Sequence, residues 1–146
     1  MLVYLDTSAL VKRYCEERGS SVVAKLILGE HSLLVSLLAF PEARAAFARK
    51  RRFREMSEAS YRTVARRFQE DWEASIFSIL GVASDVAFLA GRLVDAHALR
   101  GLDALHLASA LKAEETLGPL LFLSSDDRLN EAASAEGLSV QNPEHV

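Results

Sequence analysis

Five short apolar runs punctuate the chain, at Leu2 to Leu5, Leu33 to Ser36, Ile76 to Val82, Leu120 to Leu123 and Leu138 to Val140. Runs of this length, bounded by Ser, Asp, Gly or Pro, predict buried strands. Between them, apolar residues recur at the spacing of helices buried on one face. A helix is expected from about Ser8 to Glu17, ending near Gly19, and another that Ser20 or Ser21 could cap, with Val22, Val23, Leu26 and Ile27 inward. Pro41 suits a first helical turn, so a third helix should begin near 37 to 41 and run to about Arg52. The spacing of Tyr61, Val64, Ala65, Phe68 and Trp72 predicts a long amphipathic helix after the Ser57 to Ser60 region. Ser84 and Asp85 should start another, carrying Val86, Leu89, Ala90, Leu93 and Val94 on its apolar face. Gly101 reads as a break, after which Leu102 and Asp103 open an alanine-rich helix packed on both sides. A last helix is expected from the Ser124 to Asp127 region to about Ala135. Strands that alternate with helices in this way specify an α/β fold, with a parallel sheet of about five strands, helices on both faces and right-handed crossovers.

Four carboxylates stand where these elements join. Asp6 ends the first strand, Glu42 sits near the start of the third helix, Asp103 opens the alanine-rich helix and Asp126 follows the fourth strand. Acids favour helix N-termini through capping and the helix dipole, which accounts for any one of them alone. Their recurrence at one sheet edge points to a shared pocket, because strand ends and the following helix starts gather on one side of an open parallel sheet. Asp127 competes with Asp126 for the fourth place, one capping while the other faces inward, and the position directly after the strand favours Asp126. Clustered carboxylates repel and raise one another's pKa unless a cation neutralises them, and oxygen-only ligands suit Mg²⁺ or Mn²⁺. Such a site can acidify water and hold a scissile phosphate without a protein nucleophile. His106 lies one turn after Asp103 and could touch the pocket, but a histidine in an alanine- and leucine-rich helix reads first as a hydrogen-bonded packing residue.

Composition narrows the setting. A chain of 146 residues, half of them hydrophobic, fits a single domain over 1–146. No apolar run is long enough to span a membrane and the start lacks a secretory pattern, so a soluble, cytoplasmic protein is expected. Cys15 is the single cysteine, which excludes an internal disulfide and a cysteine-built zinc cluster. The net charge of −3 conceals an asymmetry: nine of the 17 basic side chains fall between 44 and 67, opposed there only by Glu55 and Glu58. A basic helical segment of about 42–74 can be a solvated face. Its arginines, interleaved with Phe47, Phe53, Tyr61 and Phe68, also suit phosphate, and Arg49, Arg51, Arg52 and Arg54 are its candidate phosphate contacts. No Gly-rich nucleotide turn follows Leu5, the four histidines lack zinc-protease spacing, and Ser8 lacks a nucleophile-elbow setting.

The segments Val3-Tyr4-Leu5-Asp6-Thr7-Ser8-Ala9-Leu10, Glu42, Leu102-Asp103-Ala104-Leu105-His106-Leu107-Ala108-Ser109 and Ser124-Ser125-Asp126 follow in order and at suitable intervals. Together they resemble a PIN domain, and specifically a VapC-type toxin, over essentially the full chain. The resemblance implies a metal-dependent endoribonuclease of a VapBC-type toxin-antitoxin pair that inhibits translation and growth. It further implies that Asp6, Asp103 and Asp126 with Glu42 form a Mg²⁺ or Mn²⁺ site, supported by hydroxyls at Ser8 and Ser124. Ser124 stands where the family often has threonine. A homodimer and a VapB-like antitoxin that blocks the acidic pocket are implied too, which gives the basic segment a second reading as an antitoxin grip.

Two other function classes compete with this reading. A haloacid-dehalogenase-like phosphatase also places an aspartate after its first strand and uses Mg²⁺, but its usual second acid would fall at Ser8, and no later lysine motif is evident. A non-catalytic PIN-like binding module would keep the pocket only as an interaction surface, which four intact acids argue against.

Overall fold

The computed structural model describes residues 1–145. Strand β1 (Leu2–Leu5) leads into α1 (Thr7–Val11) and α2 (Ser20–Leu28), then β2 (Ser32–Ser36), α3 (Ala39–Arg52) and α4 (Glu58–Glu73). Next come β3 (Ser78–Leu80), α5 (Ser84–Ala96), α6 (Gly101–Leu117), β4 (Leu120–Leu123), α7 (Asp127–Ala135) and β5 (Ser139–Gln141). The five strands form one sheet in the order β3-β2-β1-β4-β5, with every pairing parallel.

Alternation along β1 divides the core in two, since successive side chains leave a strand on opposite faces. Val3 and Leu5 join Leu33, Val35 and Leu123 beneath α1, α3 and α4, where Phe47 and Phe68 are fully buried. Tyr4 points the other way with Leu34, Leu120 and Phe122, under α5, α6 and α7. α6 is buried nearly all round, through His106, Leu107, Ala108, Ser109 and Ala110 among others, and the small alanines are what permit that close approach.

Several expected boundaries move for local reasons. α1 stops at Val11 rather than near Glu17, and Lys12, Arg13 and Tyr14 continue only as tight turns whose N–H groups reach back three residues. Ser20 explains the early stop: its hydroxyl donates to the Cys15 carbonyl and accepts from Glu17 N–H, supplying partners a helix would have used. Ser20 therefore does not cap α2. Gly19 does, at φ +89°, where a side chain would meet the Pro143 carbonyl at 2.9 Å. β3 is shorter than Ile76 to Val82, because Ser75 takes a left-handed φ of 59° and Ile76 N–H still bonds back to Asp71 in the exit turn of α4. Gly101, expected as a break, is the first residue of α6.

Candidate active site

β1 and β4 pair with Leu5 opposite Leu123, so the next residues, Asp6 and Ser124, emerge side by side at the C-terminal edge of the sheet. Asp6 N–H donates to the Leu123 carbonyl at 3.0 Å, which fixes the strand end. The Ser124 hydroxyl donates to Asp6 Oδ2 at 2.9 Å and the Ser8 hydroxyl donates to the same oxygen at 2.7 Å. Each serine oxygen also accepts a backbone N–H from the β4–α7 turn, Ser124 from Asp126 and Ser8 from Ser125. Two hydroxyls thus stitch the turns after β1 and β4 together around a buried carboxylate, satisfying one of its oxygens.

Glu42 arrives from the first turn of α3. Its Oε1 accepts from the Thr7 hydroxyl at 3.0 Å and faces His106 Nε2 at 2.6 Å. The same imidazole nitrogen lies 3.3 Å from Thr7 Oγ1 and 3.8 Å from Asp6 Oδ1. On the far side of the ring, Nδ1 meets the Tyr4 hydroxyl at 2.8 Å. Burial would raise the Glu42 pKa, but the hydrogen bond and charge of His106, aided by Thr7, hold it below the ordinary glutamate value. Burial would lower the His106 pKa, but the bond to Glu42 and the charges of Asp6, Glu42 and Asp103 raise it. The two shifts agree in favouring a carboxylate against an imidazolium.

Asp103 sits half-buried in the first turn of α6. Burial first, and then the charges of Asp6 and Asp126, push its pKa above the ordinary aspartate value, against weaker pulls from His106 and Arg100. Asp126 is the N-cap of α7, its Oδ1 accepting from Leu129 N–H at 3.2 Å. Asp127 turns instead toward the chain end, bonded through Oδ1 to Asn142 at 2.9 Å and 3.7 Å from His145. Capping and proximity to Asp103 thus fall to the same residue, Asp126, and not to two neighbours dividing the tasks.

Among the described residues, no group of three or more His, Cys, Asp or Glu side chains has closed into a ready-made metal cage. The donor chemistry nevertheless fits a hard divalent cation. The recorded bonds engage Asp6 through Oδ2, Glu42 through Oε1 and Asp126 through Oδ1. Each of these carboxylates is anchored at one oxygen, and its other oxygen accepts no hydrogen bond among the described residues. Asp103, destabilised by two of those charges, has the most to gain from a cation.

The four arginines singled out on the basic segment lie at or just past the far end of α3 from Glu42. Arg49 and Arg52 are exposed seven and ten residues beyond Glu42 on α3, roughly 10 to 15 Å along the axis at about 1.5 Å per residue. Arg51 stacks on Tyr61, its guanidinium carbon 4.1 Å from the ring centre, and Arg54 follows the helix in a left-handed conformation. Two other arginines share a hollow with the acids. Arg100 and Arg128 line a hollow of about 350 Å³ with Asp103, Asp126 and Asp127. A larger hollow of about 470 Å³ lies to the side of the acids, where Lys12, Arg18 and Lys50 face Thr7, Ser8 and Ser125. The sequence pattern marks neither Thr7 nor Tyr4, and His106 is, as its helix predicts, a buried hydrogen-bonded residue, one that also reaches Glu42. Thr7 and Tyr4 flank Asp6 in the first motif, but nothing local tells which hydroxyl reaches a partner.

A family model described as PIN domain matches residues 3–135. The chain is 40% identical over 139 residues to Ribonuclease VapC45 of Mycobacterium tuberculosis, covering 95% of this chain and 94% of the relative. Among solved structures, FitAcB from Neisseria gonorrhoeae superposes with a TM-score of 0.69 at 19% identity, over the whole of both chains. A toxin-antitoxin complex from Klebsiella pneumoniae superposes with a TM-score of 0.66 at 17% identity, over 99% of both. At those identities the two structures establish likeness of fold.

Proposed function

The chain belongs to the PIN-domain family, and from that premise we propose that it is the endoribonuclease toxin of a VapBC-type pair, dependent on Mg²⁺ or Mn²⁺. The observation that carries this reading is the set of half-anchored carboxylates around Asp6, whose remaining oxygens accept no hydrogen bond among the described residues. Resemblance to a protein named as a ribonuclease supports RNA as the polymer cut. The likeness to a toxin-antitoxin complex supports a VapB-like antitoxin as partner, and a homodimer is proposed with it.

In this reading Asp6, Asp103 and Asp126 would hold the cation. Once bound there, it would offset the charge of the scissile phosphate and make water more acidic. The chain does the rest. Ser8 and Ser124 hold Asp6 in a fixed orientation, and Glu42, kept ionised by His106 and Thr7, is the group available to take a proton from the attacking water. Arg100 and Arg128 stand where they can bind phosphates flanking the cleaved bond, while Arg49, Arg51, Arg52 and Arg54 are proposed as outlying contacts for RNA or antitoxin. The phosphatase reading loses support here: the place of its second acid is Ser8, which donates to Asp6 and occupies one of its oxygens.

The test is cleavage of total RNA by purified protein with Mg²⁺ or Mn²⁺, beside an EDTA control and a folded Asp6→Asn, Asp103→Asn double variant. Discrete metal-dependent fragments, absent with the variant, are expected. A folded, antitoxin-free, metal-loaded wild type that cuts neither total RNA nor a wider set of structured RNAs would turn the assignment toward a non-catalytic binding module.

A further inference from the structure

We propose that His106, braced from behind by Tyr4, is the positioning residue that holds Glu42 at the edge of the Asp6 pocket. The inference rests on the nuclease reading and adds a residue to it. α3, which carries Glu42, packs against one face of the sheet through Ala43 and Phe47, whereas α6, which carries His106, packs against the other through Leu107 and Ala108. The His106–Glu42 contact at 2.6 Å therefore ties the two helical layers together across the end of the sheet.

The imidazole is built to stay where it is. It is 1% exposed, and its Nδ1 meets a Tyr4 hydroxyl whose ring stacks at 5.4 Å on Phe122 and meets the His106 ring edge-on at 6.1 Å. Nε2 carries the proton it shares with Glu42. Nδ1 accepts the Tyr4 hydroxyl proton when the ring is neutral and donates to the Tyr4 oxygen when it is charged. With both ring nitrogens bonded to protein, His106 has no lone pair free for a metal and none for the attacking water. What it controls is Glu42. That side chain is 27% exposed and would otherwise swing toward solvent, away from the like charge of Asp6. Thr7 and His106 both engage Oε1, which leaves Oε2 as the oxygen presented to the reaction.

The experiment compares His106→Asn with His106→Gln, alone and in a Glu42→Gln background, on a labelled RNA that wild type cleaves. Mn²⁺ affinity of the RNA-free protein is read in parallel by electron paramagnetic resonance. An Asn amide reaches the Nδ1 position toward Tyr4, while a Gln amide reaches the Nε2 position toward Glu42. His106→Asn should lower kcat by about 10- to 100-fold with KM unchanged, and His106→Gln should stay within about fivefold of wild type. In the Glu42→Gln background, His106→Asn should cost less than about twofold more, because a residue acting only through Glu42 has nothing left to position. Mn²⁺ affinity should hold within about threefold in both variants.

A His106→Asn kcat equal to wild type, a His106→Gln as impaired as His106→Asn, or an undiminished cost in the Glu42→Gln background would each overturn the proposal. So would a tenfold or greater loss of Mn²⁺ affinity, which would make His106 a support of the cation site. If His106→Asn does not fold, Tyr4→Phe carries the same cycle. It keeps the ring stack, and the expected drop in kcat, absent once Glu42 is Gln, decides the matter. A wild type that cleaves no RNA overturns the nuclease reading and this inference with it; a cleaving wild type with any failure above overturns the inference alone.

Discussion

Ser124 and Asp6 lie 118 positions apart in the chain, and the Ser124 hydroxyl donates to Asp6 Oδ2 at 2.9 Å while accepting the Asp126 N–H at 3.1 Å. One fully buried hydroxyl therefore sets two of the candidate acids at once, the first through its carboxylate and the fourth through its backbone.

Removing that hydroxyl should disturb both. Ser124→Ala is expected to cost about 1 to 3 kcal/mol in denaturant unfolding, since it strips a donor from a buried carboxylate and an acceptor from a backbone N–H. RNA cleavage should fall by about 10- to 100-fold, as for other groups that orient a ligand set. Ser124→Thr, which keeps the hydroxyl, should retain most of the activity. Equal loss in the two variants would show that volume rather than the hydrogen bond matters.

Asp103 carries a folding penalty when ionised. Its folded pKa lies above the ordinary value, so the ionised form is disfavoured in the fold, and the penalty is fully present above that raised pKa and fades as pH falls from it to below the ordinary aspartate value. At neutral pH and without divalent metal, Asp103→Asn should therefore raise stability by up to about 1 kcal/mol after solvent screening, or about 2 to 4 °C in Tm. Mg²⁺ or Mn²⁺ should raise the Tm of wild type and have a much smaller effect on the variant. A variant that melts below metal-free wild type would contradict the repulsion.

Lys12 is 4% exposed and reaches Glu17 at 2.9 Å and Glu144 at 3.4 Å, while Lys50 bonds the other Glu17 oxygen at 3.0 Å. Burial would raise the Glu17 pKa, but the two lysines lower it below the ordinary value. Stability from this pair is thus present above the unfolded glutamate pKa of about 4.3 and is lost as pH falls through the lower folded value. Glu17→Gln should destabilise the protein by about 2 kcal/mol at neutral pH by leaving Lys12 short of a partner, with a smaller difference from wild type in strong acid. Urea unfolding across that range reads both effects.

The two sets of arginines can be separated by salt dependence. Neutralising Arg100 and Arg128 together should weaken RNA binding and reduce the slope of log K against log salt by about 1 to 2. Neutralising Arg51, Arg52 and Arg54 should flatten the slope similarly if the far end of α3 also touches RNA. If affinity and slope hold for RNA while antitoxin binding weakens, that end is an antitoxin surface.

Phe68 supports the layer that carries Glu42. Fully buried, its ring packs at 5.1 Å on Phe40, 5.2 Å on Tyr14 and 5.6 Å on both Phe47 and Trp72. Phe68→Ala should cost about 3 to 5 kcal/mol, measured by thermal or denaturant unfolding.

The strand and helix order, the parallel sheet and the four acids at element junctions were legible from the chain, because strand runs, helix starts and their polar flanks are set by residues a few positions apart. Asp6 after Leu5 and Asp103 after Leu102 needed no knowledge of any distant contact. Boundaries that moved did so where a remote or side-chain partner intervened, as Ser20 does at Cys15 and the Pro143 carbonyl does at Gly19. The strand order and the two-sided core came only with the fold. So did the choice of which carboxylate oxygen is anchored, and the pairing of Lys12 with Glu17 and Glu144. The position of His106 between Tyr4 and Glu42 belongs with these. A histidine on an alanine-rich helix carries the same local pattern whether it packs or braces a carboxylate. What distinguishes the two is where α3 and α6 meet at the end of the sheet, a relation that exists only when both helices are docked on opposite faces.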